Sequence, residues 1–217
     1  MGVEGLRFVI TGSGTGIGAA TAVLAASKGA RVMVTDLNDQ NGEAVVAQIR
    51  DAGGEAAYHH CDVTDPDQVK ELMAATAAAF GGIDVLHNNA GIHETGIVPA
   101  DQANLENMPV EAFRKVLEVN AVAPWVCSKF ALPYLKESAN ASIINAASTG
   151  SQAAYPNNSA YGTSKGGIRL QTQNLAVDLA PFSIRVNCYG PTAIATNMVT
   201  DFIKQSPDPE AFEKSLI

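Results

Sequence analysis

A tyrosine and a lysine stand four residues apart in the stretch SAYGTSKGGI, as Tyr161 and Lys165. Side chains at this spacing on a helix are neighbours. A free tyrosine has a pKa of about 10 and is a poor base at neutral pH, but a nearby ammonium group favours its phenolate form. Such a pair could move a proton at an alcohol or carbonyl oxygen. Both residues are also ordinary on a solvated helix, so the pair alone leaves chemistry and chance equally open.

A glycine-rich turn in the stretch VITGSGTGIGAA is the second candidate for chemistry. Its glycines are Gly12, Gly16 and Gly18, with an additional Gly14. Glycines at such a turn let the backbone approach a pyrophosphate, whose charge then lies at a helix N-terminus. The spacing differs from the G-x-G-x-x-G fingerprint, because Ile17 stands where the third glycine would be. The turn alone is therefore weak evidence for a nucleotide.

Asp36 follows Gly18 by 18 positions and ends a strand-like run. A carboxylate at this place can accept hydrogen bonds from an adenosine ribose, although an Asp that caps the next helix is an alternative. The same charge would repel a ribose 2′-phosphate. The positions where a basic residue could bind that phosphate hold Thr15 and Leu37. The sequence therefore predicts NAD as the cofactor in preference to NADP.

Strand and helix patterns alternate along almost the whole chain and must position these residues. Short, β-branched apolar runs predict strands over 7–11, 31–36, 56–63, 83–88, 142–147 and 184–189. Helical patterns cover 17–28, 39–51, 66–80, 110–136 and 159–180. This alternation predicts one α/β domain over residues 1–217, a Rossmann-like doubly wound parallel sheet with helices on both faces. Ligands of such sheets bind at the carboxyl ends of the strands.

Composition excludes several function classes. The chain has 217 residues, 47% of them hydrophobic, and a net charge of −8, which disfavours nucleic acid as a partner. It shows no apolar run of about 20 residues and no secretory signal, so we predict no membrane interaction. The cysteines Cys61, Cys127 and Cys188 are widely spaced and odd in number. They suit a reducing, cytoplasmic location, and we predict no metal site.

The motifs TGSGTGIG, CDV, NNAG and YGTSK occur in this order and spacing, and with them the chain closely resembles the classical short-chain dehydrogenases/reductases over residues 5–200. The resemblance implies an NAD-dependent oxidoreductase that interconverts a secondary alcohol and a ketone. It also implies four catalytic residues. Tyr161 is the general acid/base, Ser148 hydrogen-bonds the substrate oxygen, Lys165 holds the nicotinamide ribose, and Asn120 bends the long helix and holds a water that links Lys165 to solvent. Lys165 and the oxidised nicotinamide are expected to lower the pKa of Tyr161 by about three units.

The same resemblance implies a cofactor-binding set drawn from the carboxyl ends of the strands and the loops that follow them. Asp62 and Val63 are expected to meet the adenine, and Thr192 replaces a glycine that the family usually has after Pro191. The full set is Gly12, Ser13, Gly16, Ile17, Gly18, Asp36, Leu37, Asp62, Val63, Asn89, Ala90, Gly91, Tyr161, Lys165, Pro191, Ile194 and Thr196.

Four loop residues and two aromatic residues outside these motifs are further candidates for the site. His93, Glu94, Gln152 and Tyr155 could line a substrate pocket, but each is more simply an ordinary loop residue. The aromatic residues on the long helix, Trp125 and Phe130, are better interpreted as core or subunit-contact residues than as ligand contacts.

The end of the chain departs from the family pattern. Members normally continue into a further helix and a seventh strand, and we expect this chain, which ends at Ile217, to lack both. A homodimer or homotetramer is expected if the C-terminus is complete. One alternative is a truncated NAD-binding relative that acts as a sensor or scaffold without turnover. Another is a nucleotide-sugar epimerase or dehydratase, which usually has a larger C-terminal substrate domain.

Overall fold

The sheet of the protein is parallel throughout. The computed structural model describes residues 2–204 and residue 210, and within this part six strands pair in the order β3-β2-β1-β4-β5-β6. The strands are β1 Arg7–Thr11, β2 Arg31–Asp36, β3 Glu55–His60, β4 Val85–Asn88, β5 Ser142–Ala146 and β6 Arg185–Tyr189. The strand order reverses between β1 and β4, and a crevice opens there at the carboxyl ends.

Helices connect the strands and cover the sheet. They are α1 Gly16–Ser27, α2 Asp39–Asp51, α3 Pro66–Phe80, α4 Val110–Leu117, α5 Ala123–Lys136, α6 Ser159–Leu179 and α7 Asn197–Lys204. Short 3-10 turns cover Glu94–Gly96, Ala100–Gln102, Thr149–Ser151 and Ala180–Phe182. None of the helices in the described part of the chain is both long and apolar enough to cross a bilayer.

Side chains of the central strands alternate between two apolar cores, one on each face of the sheet. Phe8 and Ile10 of β1 pack with buried residues of α1 and α2. Val9 of the same strand and Met33 of β2 pack with buried residues of α3 and α5. Because both faces are covered at the centre of the sheet, β1, β2 and β4 are buried at almost every position. The predicted doubly wound α/β fold is confirmed. The expectation that the chain lacks a further helix and a seventh strand concerns residues outside the described part.

Two predicted elements differ from the structure by more than two residues. The strand predicted over 56–63 ends at His60, because its partner β2 ends at Asp36, which pairs with His60. The helix predicted over 110–136 is interrupted by a π-helical turn at Glu118–Val122, which separates α4 from α5. Pro124 follows this turn and has no N–H to donate to a carbonyl of the preceding turn, which favours a local change of the hydrogen-bond pattern.

A partly buried ion pair joins Arg7, the first residue of β1, to Asp84, which directly precedes β4, at the amino end of the sheet and away from the crevice. Arg7 Nε donates to Asp84 Oδ2 at 2.7 Å, and Arg7 Nη2 donates to Asp84 Oδ1 at 2.6 Å. Ser138 also donates to this carboxylate. Burial of Asp84 opposes its ionisation, but these hydrogen bonds outweigh it and hold the pKa of Asp84 at about 2. The pair fixes the register of the two strands that flank the crevice.

We predict that Asp84→Asn lowers the free energy of unfolding by about 2 to 4 kcal/mol at pH 7, because Arg7 loses its charged partner. The folded-state pKa lies below that of an unfolded aspartate, about 3.9. The stabilisation is therefore fully present above about pH 4 and is lost as the pH falls through about 2. Urea unfolding at several pH values measures the difference, with Asp51→Asn, at an exposed position of α2, as the control. Equal stability of the wild type and Asp84→Asn at pH 7 would contradict this prediction.

Candidate active site

A cleft of about 380 Å³ opens at the carboxyl ends of β1, β2, β4 and β5. It brings together most of the residues predicted to bind a cofactor. Those that line it are Gly12, Gly16, Ile17, Asp36, Leu37, Asp62, Val63, Asn89, Ala90, Gly91, Tyr161, Lys165, Pro191 and Thr196. Residues that are distant in sequence therefore share one surface, as expected at the switch point of a doubly wound sheet.

Lys165 is held in the cleft by a buried hydrogen bond. Its side chain is only 4% exposed, and Nζ donates to the carbonyl oxygen of Ala146, at the end of β5, at 2.7 Å. Burial lowers the pKa of Lys165 to about 8. Its ammonium group lies 5.5 Å from the centre of the Tyr161 ring. The side chains of Tyr161 and Lys165 thus lie on one side of α6 and face the same cleft.

The pKa of Tyr161 is raised in the chain by itself, whereas the lowered value expected from the sequence includes the charge of a bound oxidised nicotinamide as well as that of Lys165. Burial of the phenol raises the pKa, hydrogen bonding with Ser148 lowers it, and the charge of Glu94 raises it again. The spacing of Tyr161 and Lys165 carried no information about burial or about Glu94, and these effects prevail in the chain by itself. The phenol is therefore neutral at pH 7 and can donate a proton.

Ser148 lies between β5 and the start of α6. Its hydroxyl accepts a hydrogen bond from the amide of Gly150 at 3.1 Å and begins the short turn over Thr149–Ser151. A Cβ on Gly150 would lie 3.5 Å from Ser148 Oγ and 3.8 Å from a ring carbon of Tyr161. These are ordinary van der Waals distances, and they show that Gly150 lies beside both the serine hydroxyl and the phenol ring. This pair can act together on one oxygen atom of a bound molecule.

Asn120 lies in the π-helical turn and ties three segments together. Its amide nitrogen donates to the carbonyl oxygen of Ile92 at 2.8 Å and to Ser164 Oγ at 3.0 Å. Its amide oxygen accepts from the nitrogen of Ile92 at 2.9 Å. Asn120 thereby fixes the loop after β4 against α6. The water that we expect Asn120 to hold remains a prediction.

The glycine-rich turn packs closely against the loop after β4. Gly12 has a φ of +61°, and a Cβ there would lie 2.8 Å from the Cα of Ala90. A Cβ on Gly18 would come 2.3 Å from the carbonyl oxygen of Gly12 and 2.5 Å from Asn89 Nδ2. Ser13 is fully buried, and its hydroxyl donates to the carbonyl oxygen of Ile10 at 2.6 Å. Gly18 and Ser13 therefore stabilise the turn through contacts with Gly12, Asn89 and Ile10, and neither residue is part of the cleft lining.

Asp36 holds the other side of the turn. Its Oδ2 accepts from the amide of Gly14 at 2.9 Å, and its Oδ1 accepts from the amide of Asn38 at 3.0 Å. The side chain that caps α2 is that of Asn38, which accepts from the amide of Asn41. The alternative in which Asp36 caps the helix is therefore wrong, and its carboxylate faces the cleft.

These features fit a dinucleotide. Asp36 and Asp62 lie at the ends of β2 and β3. Tyr161 and Lys165 lie on α6, beside the end of β5. Between them, the glycine-rich turn leads into the N-terminus of α1 without side chains that would block the approach of a pyrophosphate. A Cβ on Gly16 would already lie 3.2 Å from Thr196 on the far side of the turn. A side chain at position 16 would therefore narrow the cleft between the glycine-rich turn and Thr196.

Several candidate residues lie away from the cleft. Ile194 is 44% exposed and is not part of the lining. Gln152 and Tyr155 line a separate hollow of about 490 Å³ beside the start of α6. Trp125 is 46% exposed on α5, with Lys129 Nζ 5.5 Å from its ring centre. Phe130 packs against the core below α5.

His93 and Glu94 are at the site, although not in the way expected for pocket-lining residues. The imidazole of His93 lies 4.9 Å from the Tyr161 ring, centre to centre, and hydrogen-bonds to Asn158 at 2.9 Å. Glu94 is fully buried. Among the described residues, no group of three or more His, Cys, Asp or Glu side chains could hold a metal ion.

Sequence reasoning missed part of the lining, namely Cys61, Ile92, Lys115, Val119, Ala146, Ala147 and Met198. Lys115 is the one cation among these missed residues, on α4. Nothing in the sequence around Lys115 indicated that its side chain faces the cleft. The apolar members carry no signal of their own, because any strand or helix of the core contains such residues.

The chain matches known proteins over nearly its whole length. The family model described as short chain dehydrogenase matches residues 7–207. The 2,5-dichloro-2,5-cyclohexadiene-1,4-diol dehydrogenase of Sphingobium indicum is 37% identical over 198 residues, which cover 91% of this chain and 76% of that protein. The cis-4-hydroxycyclohexanecarboxylate dehydrogenase of Sinomonas cyclohexanicum is 38% identical over 191 residues, which cover 88% of this chain and 74% of that protein.

A solved structure agrees with these sequence matches. The crystal structure of levodione reductase superposes with a TM-score of 0.88 at 32% sequence identity, covering 98% of this chain and 81% of that one. The sheet, the cleft and the positions of the motifs thus belong to a known architecture.

Proposed function

This chain belongs to the short-chain dehydrogenase family, and from that premise we propose that it is an NAD(H)-dependent oxidoreductase that interconverts a secondary alcohol and a ketone. The observation that carries the proposal is the placement of Tyr161 and Lys165 on one side of α6, facing the cleft, with Ser148 beside the phenol. Two relatives are named for a cyclohexadiene diol and a hydroxycyclohexane carboxylate. These names support alcohols on six-membered rings as the first substrates to assay.

In the proposed reaction, the chain's own residues handle the proton. When bound, a nicotinamide ring supplies the carbon that exchanges hydride with the substrate. We expect the Tyr161 phenolate to take the proton of the alcohol oxygen in oxidation and become a phenol, and the Tyr161 phenol to donate that proton in reduction. The alcohol then loses one hydride from carbon and one proton from oxygen, which leaves a ketone. The neutral phenol is the form required for reduction, whereas oxidation requires the ionised form.

Ser148 and Lys165 are expected to support this proton transfer in different ways. Ser148 would donate a hydrogen bond to the substrate oxygen, where negative charge develops in the transition state. Lys165 would stabilise the phenolate electrostatically and hold ribose hydroxyls of the cofactor. Because the pKa of Lys165 is about 8, the side chain is mostly protonated and positively charged at neutral pH despite its burial.

NAD rather than NADP is the cofactor we propose. Its support is the carboxylate of Asp36, which faces the cleft and is already fixed by two backbone amides. A fixed carboxylate can accept hydrogen bonds from ribose hydroxyls and repels a phosphate at the same place. Its neighbour in the lining, Leu37, offers no positive charge.

We further propose a cytoplasmic homodimer or homotetramer. Exposed apolar side chains on and beside α5 and α6, including Trp125, Leu170, Val177 and Phe182, support subunit contacts. The free thiols of Cys61, Cys127 and Cys188 suit a reducing compartment.

We predict that Tyr161→Phe lowers kcat for alcohol oxidation by about 100-fold or more, because the proton acceptor is removed. Binding of NADH, followed by nicotinamide fluorescence, should be largely retained, since the ring of residue 161 keeps its shape. Tyr134→Phe, the same change on α5, is the control. Normal rates in Tyr161→Phe would show that another group transfers the proton.

For Asp36→Ala we predict a fall of about tenfold or more in the ratio of kcat/KM with NAD to kcat/KM with NADP. The variant loses the acceptor for ribose hydroxyls and the charge that repels a 2′-phosphate. Asp51→Ala on α2 removes the same charge at an exposed position and should leave the ratio unchanged. The ribose assignment fails if Asp36→Ala and Asp51→Ala give the same ratio.

A further inference from the structure

Glu94 is a fully buried carboxylate that follows the loop after β4. Its Oε1 accepts from the amide of Ala160 at 3.3 Å, and its Oε2 accepts from the amide of Tyr161 at 3.2 Å. No lysine or arginine of the described residues forms an ion pair with it, and the nearest cationic candidate is His93 Nδ1 at 3.6 Å. Burial lowers the pKa of His93, although the charge of Glu94 and the hydrogen bond with Asn158 oppose this shift. His93 Nδ1 accepts a hydrogen bond from the amide of Thr95 at 3.2 Å, as only a neutral ring can at that nitrogen.

The first turn of α6 compensates for the burial of this charge. A buried carboxylate without partners costs several kcal/mol, whereas amides at a helix N-terminus favour an anion. The residue before α6, Asn158, gives the helix no side-chain cap, and its amide oxygen lies 2.9 Å from His93 Nε2 instead. The amides of Ala160 and Tyr161, which have no acceptor within their own helix, are satisfied by Glu94. A residue 66 positions earlier thus caps the helix that carries Tyr161.

Groups of opposite charge act on Tyr161 from two directions. Lys165 lies one turn further along the same helix, 5.5 Å from the ring centre. Glu94 acts from the loop after β4 and opposes ionisation of the phenol. Among the described residues, other polar groups near Tyr161 are His93, Ser148 and Tyr189 of β6, and burial opposes the charged forms of His93 and Tyr189.

We propose that Glu94 is a positioning residue for Tyr161: its carboxylate fixes the first turn of α6 and brings to the phenol a negative charge that opposes the positive charge of Lys165. The functional meaning of this arrangement rests on the proposed role of Tyr161 in proton transfer. Glu94 keeps Tyr161 in the phenol form, ready to donate a proton, until a further positive charge enters the cleft. Glu94 touches no reacting atom and acts only through Tyr161.

The test is a pH titration of the cofactor-free full chain, labelled with ¹³C at the tyrosine Cζ and followed by NMR. The Tyr161→Phe variant identifies the signal of Tyr161. In the wild type we expect an ionisation midpoint above the ordinary value of about 10. In Glu94→Gln, which keeps the shape but removes the charge, we expect the midpoint to fall by about one pH unit. The matched control Glu111→Gln, at an exposed position of α4, should give the wild-type midpoint.

Equal midpoints for Tyr161 in Glu94→Gln and Glu111→Gln would overturn the inference. Should Glu94→Gln fail to fold, amide hydrogen exchange of the wild type tests the cap. The amides of Ala160 and Tyr161 should exchange about tenfold more slowly than that of Ser159, because only they have Glu94 as acceptor. Equal exchange of the three amides would contradict the cap. Neither readout needs turnover, so failure of the proposed oxidoreduction and failure of this inference remain distinguishable.

Discussion

The hydrogen bond from the Lys165 ammonium to the carbonyl of Ala146 joins α6 to the carboxyl end of β5. This ammonium group is almost completely buried next to the phenol of Tyr161. Burying a charge away from water costs free energy, so the charge must be compensated by its surroundings. The surrounding structure makes this possible. The parallel strands bring their carboxyl ends to one crevice, the glycine-rich turn leaves that crevice open, and α6 presents the phenol and the ammonium to it together.

Polar contacts between distant segments keep this arrangement rigid. Asn120 connects the loop after β4 to α6 through Ile92 and Ser164, and Glu94 connects the same loop to the first turn of that helix. These side chains are buried and hydrogen-bonded, so displacing one of them would leave unpaired polar groups in the interior. The loop after β4 therefore supports both the glycine-rich turn, which packs against it at Gly12, and the helix that carries Tyr161.

The fold and much of the site were predictable from the sequence, because the signals are local. Continuous apolar strands and alternating helices determine a doubly wound sheet, and the motifs around Gly12 and Tyr161 identify the family. The cap by Glu94, the presence of Lys115 in the cleft and the direction of the Tyr161 pKa shift were not predictable. Each depends on which loop packs against which helix, and a single sequence does not record those contacts. The family resemblance implies a bend at Asn120, which lies in the π-helical turn, but the helical pattern of residues 110–136 did not indicate the hydrogen-bond pattern of that turn.

The central claim is that this cleft couples hydride exchange with a cofactor to proton transfer by Tyr161. The most direct measurement is deuterium transfer from secondary alcohols that carry deuterium on the carbinol carbon, cyclic alcohols first, to NAD in the presence of the protein. Mass spectrometry of the reduced cofactor should find one deuterium, accompanied by the matching ketone. Saturable binding of NAD without deuterium transfer from any alcohol of a broad panel would contradict the account.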